Sequence, residues 1–412
     1  MKKLIGIVVG IVVPAFIMAA GMAGLVQAQS KGISDDVVKI GVLVDMAGPY
    51  SQGSGIGSVR AVEMAVKDFG GKVLGKPIEV VYADHQNKAD IGASKAREWF
   101  DVGKVDMVID LVNSAVAVSV QKIAAEKKRI NIVTAGGSVV LSQQECSPYG
   151  IQYAYDTYAL ATGAANVLVK EGGKSWYFIT VDYTFGLNLE KDGRARVEAL
   201  GGKVLGSSKH PLNAPDFSSY IISAQAAKPD VIAIASGAGD FANTLRTARE
   251  FGLGKGGRPV ITGLFVLIND LKGLGLEVAQ GLQYVDPFYW DFDEQTRAWS
   301  NRYMQIQKAM PSFNQAGDYS AVMQYLKAIE IAGTDDADAV MKQLRATKFN
   351  DFFLRNAYLR VDGRMVRDMY LMEAKKPSES TSEWDLAKLK RVIPGDEAYM
   401  SLAQSACPLV KK

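Results

Sequence analysis

Short apolar runs rich in β-branched residues alternate with amphipathic stretches from residue 37 to residue 263. Such alternation is typical of βαβ units, in which a parallel sheet is covered by helices on both faces. The pattern forms two series and therefore predicts two α/β lobes. The first series predicts strands Val38–Val44, Ile78–Tyr82, Val105–Ile109 and Ile130–Val133 with helices Val59–Asp68, Ile91–Phe100 and Ala117–Lys127. The second predicts strands Trp176–Val181, Val204–Ser208, Val231–Ala235 and Val260–Gly263 with helices Leu160–Lys170, Leu187–Leu200, Phe217–Ala226 and Asp240–Phe251.

The last third of the chain has a different pattern. Successive amphipathic stretches predict helices at Asp293–Ala309, Tyr319–Ile331 and Ala337–Ala346. A hairpin is expected next, with strands Asn356–Val361 and Met365–Ala374 turned by Asp362-Gly363, a dipeptide whose backbone accepts positive φ. The chain then continues as a polar run and an irregular tail.

The amino-terminal residues have the composition of an export signal. Lys2 and Lys3 precede 23 largely apolar residues from Leu4 to Val26, and Val26-Gln27-Ala28 forms a small-residue cleavage pattern. We predict a cleaved signal peptide over residues 1–28 and a location in the periplasm. An uncleaved anchor is the alternative, because the apolar run is long enough to cross a bilayer.

Export changes the expected state of the two cysteines, Cys146 and Cys407. Thiols tend to pair in an oxidising compartment, so we predict a disulfide between them. Closing so long a loop should stabilise the fold by about 4 kcal/mol in the chain-entropy description. Two free thiols are the alternative.

Composition and charge remove several classes of function. Lys and Arg number 47 against 44 Asp and Glu, and no long basic run occurs, so nucleic acid is not an expected partner. Two histidines and two cysteines are too few for a usual zinc site, and we predict no metal or cofactor. The chain has no Gly-x-Ser-x-Gly elbow and no distinctive carboxylate pair, so an enzyme is not expected.

Three loops that follow predicted strands are rich in Gly, Ser and other small residues: 45–55, 113–117 and 134–138. In open parallel sheets ligands bind outside the carboxyl ends of the strands, where helix N-termini present unpaired N–H groups. Hydroxyl and N–H groups there can hold a carboxylate without Arg or Lys. For any single serine, helix N-capping is the alternative interpretation.

At these loops the chain resembles periplasmic substrate-binding proteins of ABC importers, in the leucine/isoleucine/valine-binding family. The resemblance covers essentially the whole mature chain. It rests on the order and spacing of short segments: Lys39-Ile40-Gly41-Val42, Ala47-Gly48-Pro49-Tyr50, Asn113-Ser114-Ala115-Val116-Ala117, Tyr183-Thr184-Phe185-Gly186, Gly237-Ala238-Gly239-Asp240 and Gln280-Gly281-Leu282. It implies an α/β protein of the type I periplasmic binding fold, with two doubly wound parallel-sheet lobes joined by three hinge crossings. A monomer of this kind traps a small carboxylate ligand between its lobes and delivers it to an ABC permease in the inner membrane.

The resemblance also implies the domain limits. An N-terminal lobe is expected from residues 36–154 plus 286–352, and a C-terminal lobe from residues 155–285 plus 353–375. Residues 376–412 should form a tail that returns along the lobes. The expected crossings are Tyr153–Thr157, Gly281–Phe288 and Phe352–Asn356.

Family members bind the ligand carboxylate in the second and third loops, at positions that correspond here to Ser114, Ala135 and Ser138. Tyr183 matches a tyrosine that closes over the ligand from the opposite lobe. The other candidate ligand-binding residues are Tyr50, Ser51, Tyr155, Asp156, Gly237, Asp240 and Phe265.

Two ligand classes stay open at this point. Amino-acid binders of the family neutralise the ligand ammonium with acidic side chains of the second lobe, because an unpaired buried charge is costly. One such position falls in residues 261–266, which contain no acid, and only Asp156 lies near the other. An amine-free carboxylate is equally compatible, since Tyr155, Tyr183, Phe185 and Phe265 offer an aromatic pocket. A sensor that signals to a separate receptor is the alternative to transport.

Overall fold

The structure of the protein, a computed structural model, describes Met1 and residues 32–411. Apart from Met1, the predicted signal peptide at residues 1–28 lies outside the described residues. Within residues 32–411, no helix combines the length and the apolar character that a membrane span requires.

The first sheet is formed by the early part of the chain. Its strands are β1 (Val38–Val44), β2 (Lys72–Val73), β3 (Lys76–Asp84), β4 (Met107–Asp110), β5 (Ile130–Val133) and β6 (Gly150–Gln152), and its helices are α1 (Gly55–Phe69), α2 (Ala89–Glu98) and α3 (Ser114–Lys127). The order is β2-β3-β1-β4-β5-β6, parallel except for β2. Neighbouring residues Val42 and Leu43 of β1 enter different hydrophobic clusters, so both faces of the sheet are covered.

The second sheet repeats this arrangement. Its parallel strands are β7 (Ser175–Val181), β8 (Lys203–His210), β9 (Val231–Ala235), β10 (Val260–Gly263) and β11 (Gln283–Asp286). The helices are α4 (Thr157–Leu168), α5 (Thr184–Ala199), α6 (Ser218–Ala227), α7 (Ala238–Glu250), α8 (Ile268–Leu274) and α9 (Leu276–Ala279). The prediction of two α/β lobes with mainly parallel sheets is confirmed.

Three helices follow, as predicted: α10 (Glu294–Gln307), α11 (Phe313–Ala332) and α12 (Ala337–Ala346). Helix α11 begins at Phe313 rather than at Tyr319. Ser312 accepts the Asn314 N–H, and the Gln315 side chain accepts the Ser312 N–H, which together cap the helix earlier than the apolar pattern indicates. Helix α11 packs against α1 and so returns the chain to the first sheet.

The predicted hairpin is only partly correct. Strands β12 (Lys348–Phe349), β13 (Ala357–Leu359) and β14 (Met365–Val366) form a small antiparallel sheet, and Gly363 turns β13 into β14 with a φ of 81°. Strand β15 (Met369–Ala374) instead pairs antiparallel with β11 of the second sheet. The Gln152–Arg364 bridge keeps the small sheet against β6 of the first sheet. The chain therefore passes from the small sheet to the second sheet between Val366 and Met369. We expected this third crossing earlier, at Phe352–Asn356.

The carboxy-terminal segment is more regular than the sequence indicated. Strand β16 (Ala387–Ile393) pairs antiparallel with β15 and extends the second sheet, and the short helix α13 (Gly395–Ala398) follows. Strand β16 has no regular alternation of apolar and polar residues, and four consecutive residues in it, 389–392, are exposed. Backbone pairing with a neighbour distant in sequence therefore decides its structure. The lobe limits themselves stay a prediction.

Cys146 and Cys407 form a disulfide with their Cα atoms 5.6 Å apart, as predicted. The Ala406 N–H next to it donates to Gln143 Oε1 at 2.9 Å. These contacts attach the end of the described chain to the segment between β5 and β6.

Candidate functional site

Two adjoining voids lie at the carboxyl ends of the parallel strands, between the two sheets. The inner cavity encloses about 10 Å³, and the outer cleft about 350 Å³. Tyr50, Val112 and Phe265 line both voids. Four residues that follow β4 and β5, one residue of the expected first crossing and two residues that follow β7 complete the inner cavity. They are Asn113, Ser114, Ala135, Gly137, Tyr155, Tyr183 and Phe185.

Most of the candidate binding residues come together at these voids. Those that line the inner cavity are Tyr50, Ser114, Ala135, Tyr155, Tyr183 and Phe265. Ser51 lines the outer cleft. Val112 lies one residue before the second loop, and no local signal distinguishes it from an ordinary core valine. The binding roles of all these residues stay predictions.

Ser114 lies at the start of α3, where an anion would find donors. The Asn113 side chain caps this helix by accepting the Ala115 N–H at 3.0 Å. The Ser114 hydroxyl oxygen accepts the Ser138 N–H at 3.2 Å, and within the described residues its own proton has no acceptor. The Ser114 hydroxyl proton is therefore a donor that a carboxylate in the inner cavity can reach.

Ser138 and Ala135 do not present the groups that the resemblance implies. The Ser138 hydroxyl oxygen accepts the Asn188 side-chain N–H at 2.7 Å, and Ser138 lines neither void. The Ala135 N–H donates to the Asp110 carbonyl at 3.1 Å, and its carbonyl accepts the Tyr155 hydroxyl at 2.7 Å. Protein partners thus occupy the backbone groups of Ala135, and the Ser138 hydroxyl accepts a hydrogen bond from α5 of the second lobe away from both voids.

Aromatic side chains from both lobes close the inner cavity. The Tyr50 and Tyr183 hydroxyl oxygens are 2.6 Å apart and join the loop after β1 to the loop after β7. Burial raises the pKa of both phenols, so both stay protonated at neutral pH and can donate. Phe265 packs edge-on against Phe185 at 5.3 Å and at a tilt against Tyr155 at 5.5 Å, measured between ring centroids. These side chains make the walls of the inner cavity aromatic.

Gly137 makes room for the Tyr155 ring. A Cβ at position 137 would lie 2.4 Å from Tyr155 Cε2. We expect Gly137→Ala to lower the free energy of unfolding by about 1–3 kcal/mol, because the buried ring must move. Denaturant titration measures this effect. Gly103→Ala is the control, since its Cβ would meet its nearest atom at 3.6 Å. Equal stability of the two variants would contradict the placement of Tyr155.

Asp156 lies outside both voids, which corrects our expectation that it is available to a ligand ammonium. Its Oδ1 accepts the Ala159 N–H at 2.7 Å and caps α4, and its Oδ2 is 3.5 Å from Arg364 Nη1. Burial raises the pKa of Asp156 in spite of this arginine. Its neighbours make it a helix cap and the counter-ion of a buried guanidinium.

Gly237 and Asp240 line neither void. Of this loop, the two residues between them, Ala238 and Gly239, line the outer cleft. Asp240 Oδ2 accepts the Asn213 N–H at 3.0 Å and lies 4.0 Å from His210 Nδ1. Burial raises the pKa of Asp240. This carboxyl group supports the loop that carries Asn213, which itself lines the outer cleft.

The outer cleft differs from the inner cavity in its polar groups. Among the residues described, Asp270 is the acidic residue that lines it, whereas no acidic residue lines the inner cavity. Burial raises the pKa of Asp270 to about 7, and its Oδ2 accepts the Leu267 N–H at 2.8 Å. The Oδ1 atoms of Asn269 and Asn314 are buried without a partner among the described residues. The outer cleft thus offers acceptors, and its volume is that of a small-molecule site.

Two α/β lobes with a cleft at their strand ends define the class of two-lobed solute-binding proteins. A family model described as "Periplasmic binding protein" matches residues 37–380. The chain belongs to this family, as its resemblance implied. This family, and the solved structures that share its fold, are solute-binding proteins and not enzymes.

Solved structures agree with this assignment. A periplasmic binding protein from Burkholderia mallei is 50% identical, with a TM-score of 0.89 over 91% of this chain and 100% of the other. A branched chain amino acid ABC transporter periplasmic ligand-binding protein from Burkholderia xenovorans LB400 is 38% identical, with a TM-score of 0.83 and the same coverage of 91% and 100%. A solute binding protein of an ABC transporter from Rhodopseudomonas palustris BisB5, in complex with 3,4-dihydroxy benzoic acid, shares the fold at 22% identity, with a TM-score of 0.79 over 88% and 98%.

Proposed function

We propose that this protein captures a small aromatic carboxylate in the periplasm and delivers it, as a monomer, to an ABC permease in the inner membrane. The observation that carries this proposal is the start of α3, where Ser114, whose hydroxyl proton has no acceptor among the described residues, lines a cavity walled by aromatic rings. Such donors hold a carboxylate without a cationic side chain.

The cavity favours an amine-free ligand. A buried ammonium needs a nearby carboxylate, and the described lining of the inner cavity has none. Asp156, our earlier candidate, is engaged by Arg364 and Ala159. The complex of the Rhodopseudomonas palustris protein with 3,4-dihydroxy benzoic acid gives a precedent for such a ligand on this fold. An amino acid would instead have to place its ammonium near Asp270 in the outer cleft.

Ligand entry requires the lobes to separate. About 10 Å³ holds no more than one water molecule, so an organic acid must displace Tyr183 from Tyr50 and join the inner cavity to the outer cleft. The interlobe contact between Asn188 and Ser138 must then open as well. Hinged closure of this kind occurs on the microsecond to millisecond scale.

A matched ligand pair tests the ligand class. 3-Phenylpropionate and L-phenylalanine differ only in the α-amine, and benzoate, 4-hydroxybenzoate and L-leucine extend the set. A ligand at 100 times its dissociation constant should stabilise the protein by about 2.7 kcal/mol, which a thermal shift detects. We expect stabilisation by the amine-free member of the pair. Stabilisation by L-phenylalanine or L-leucine alone would move the proposal to amino acids, and recovery of a chemoreceptor without a permease in a pull-down would reject transport.

We expect Ser114→Ala to weaken carboxylate binding by about 1–2 kcal/mol, because a hydrogen bond to a charged group is lost. Isothermal titration with the best ligand of the screen measures the change. Ser119→Ala on the same helix is the control, since the Ser119 hydroxyl donates to the Ala115 carbonyl at 2.9 Å and lines neither void. Unchanged affinity in Ser114→Ala would remove Ser114 from the site.

A further inference from the structure

Two buried carboxyl groups, of Asp110 and Asp318, lie at the base of the loop that leads to Ser114. Asp110 is the last residue of β4, Asp318 belongs to α11, and both are fully buried. Asp110 Oδ1 accepts the Ser54 hydroxyl at 2.8 Å and the Val112 N–H at 3.0 Å. Asp318 Oδ1 accepts the Thr134 hydroxyl of the third loop. The pair therefore connects α1, α11 and two of the three loops that surround the inner cavity.

The loop that Asp110 begins has an unfavourable backbone conformation. The φ angles of Asp110, Leu111 and Asn113 are 77°, 58° and 79°. Residues other than glycine avoid this left-handed region, so surrounding contacts must hold the loop in shape. The Asp110 carboxyl supplies one such contact from within, because it accepts the N–H of Val112, which lines both voids. The position of this carboxyl thus affects where Asn113 and Ser114 lie.

The surroundings of the pair disfavour two negative charges. Burial, and then the charge of Asp110, raise the pKa of Asp318 well above its usual range, and burial raises the pKa of Asp110 to about 6. The other titratable groups that interact with the pair are Asp45 at the end of β1, Tyr155 at the first crossing and Tyr303 of α10, and none of them is basic. The Oδ2 atoms of both carboxyls are buried without a hydrogen-bond partner among the described residues. The buried Ser58 hydroxyl of α1 interacts with both carboxyls and favours their charged forms, against the effect of burial.

We propose that Asp110 and Asp318 share one proton and that this shared proton is the positioning device of the Ser114 loop. Buried carboxyls in contact commonly share a proton, because two like charges side by side in a low dielectric are costly. Loss of the proton leaves two carboxylates that repel, which pushes Asp110 away from the Val112 N–H. The folded state binds this proton more tightly than the unfolded chain does, so the stability that it contributes falls as pH rises. Carboxylate affinity should fall with it, and this last consequence alone rests on the proposed function.

Carbon-13 NMR of protein labelled at aspartate Cγ tests the shared proton directly. Among the protonated aspartate carboxyls at pH 7, we expect a signal that disappears in Asp318→Asn and shifts in Asp110→Asn. Ionisation of both Asp110 and Asp318 at pH 7 in the wild-type protein would overturn the inference. This spectrum needs no ligand. If either variant does not fold, the pH titration of the wild-type spectrum by itself still tests the shared proton.

Hydrogen exchange tests the effect on the loop. We expect the protection factor of the Val112 amide in the wild type to fall about tenfold between pH 6 and pH 9, the change that one pKa unit produces. Asp318→Asn should remove this fall, because its amide can donate permanently to Asp110. Asp106→Asn, just before the other end of β4, removes a different buried carboxyl and should keep the wild-type profile. A constant protection factor in the wild type, or an equal fall in Asp318→Asn, would contradict the positioning role.

Affinity measurements over the same pH range complete the test. The best ligand of the screen should bind the wild type more weakly at pH 9 than at pH 6, and Asp318→Asn should show a flat profile. Absence of any carboxylate ligand would reject the proposed function but leave the NMR and exchange results to decide the shared proton. Normal binding with a flat wild-type profile would reject the positioning role alone.

Discussion

Replacing Arg364 with Met should lower the free energy of unfolding by about 3–5 kcal/mol, because it leaves the Asp156 carboxylate buried without its partner. The Arg364 side chain is fully buried, and its Nη1 donates to the Tyr155 carbonyl at 2.7 Å. Its guanidinium carbon lies 4.5 Å from the centroid of the Tyr399 ring. Arg364 thus joins the first crossing, the small sheet and the carboxy-terminal segment, and denaturant unfolding monitored by circular dichroism measures its contribution.

A double-mutant cycle separates the lost charge partner from the lost packing. Arg364→Met combined with Asp156→Asn removes both buried charges, and we expect it to be more stable than Arg364→Met alone. Arg297→Met is the surface control, since the side chain of Arg297 is 51% exposed in its pair with Asp291 and the change should stay within about 0.5 kcal/mol. Additive effects of the Arg364 and Asp156 substitutions would show that the pair does not interact.

Removal of the disulfide should cost about 4 kcal/mol of stability, because the unfolded chain gains the freedom of a loop that the bond closes. The bond joins residues separated by 261 positions, so few crosslinks within this chain could restrict the unfolded state more. Denaturant titration of the Cys146→Ala, Cys407→Ala double variant against the wild type measures the loss. Neither cysteine lines the inner cavity or the outer cleft, so the ligand affinity of the folded double variant should equal that of the wild type.

Reduction provides the matched comparison for this prediction. A reducing agent should destabilise the wild type to the level of the double variant and leave the double variant unchanged. Each single substitution should cost about as much as both together, because either one abolishes the bond. Two titratable thiols per chain in denatured, unreduced wild-type protein would contradict the disulfide.

The parts of the site that the sequence predicts well are those that follow strands. Tyr50, Ser114, Ala135 and Tyr183 lie within six residues of the ends of buried strands, and the carboxyl ends of parallel strands meet at one edge of a sheet. Local chemistry was less informative. The Ser138 hydroxyl lies in a loop where the family binds its ligand, but it accepts a hydrogen bond from the side chain of Asn188, 50 residues away.

Charge partners are the clearest case of what local patterns miss. Asp156 was a candidate partner for a ligand ammonium because it lies near an acidic position of the family, yet Arg364 reaches it across a sequence separation of 208 residues. In the same way, Asp110 and Asp318 gave no signal as a pair, since they belong to a strand and to a helix far apart in sequence. A buried charge or proton depends on which groups surround it in space, and periodicity carries no information on that.

The order of apolar and polar residues alone determined the two α/β lobes, the loops at the strand ends and the helices that follow residue 293. These features depend on local periodicity, which each segment carries within itself. Tertiary structure decided that β15 and β16 join the second sheet, that Asp156 neutralises Arg364 and not a ligand, and that the cavity beside Ser114 is closed by Tyr50 and Tyr183. Each of these depends on contacts between distant segments, whose energies arise only when the lobes are assembled.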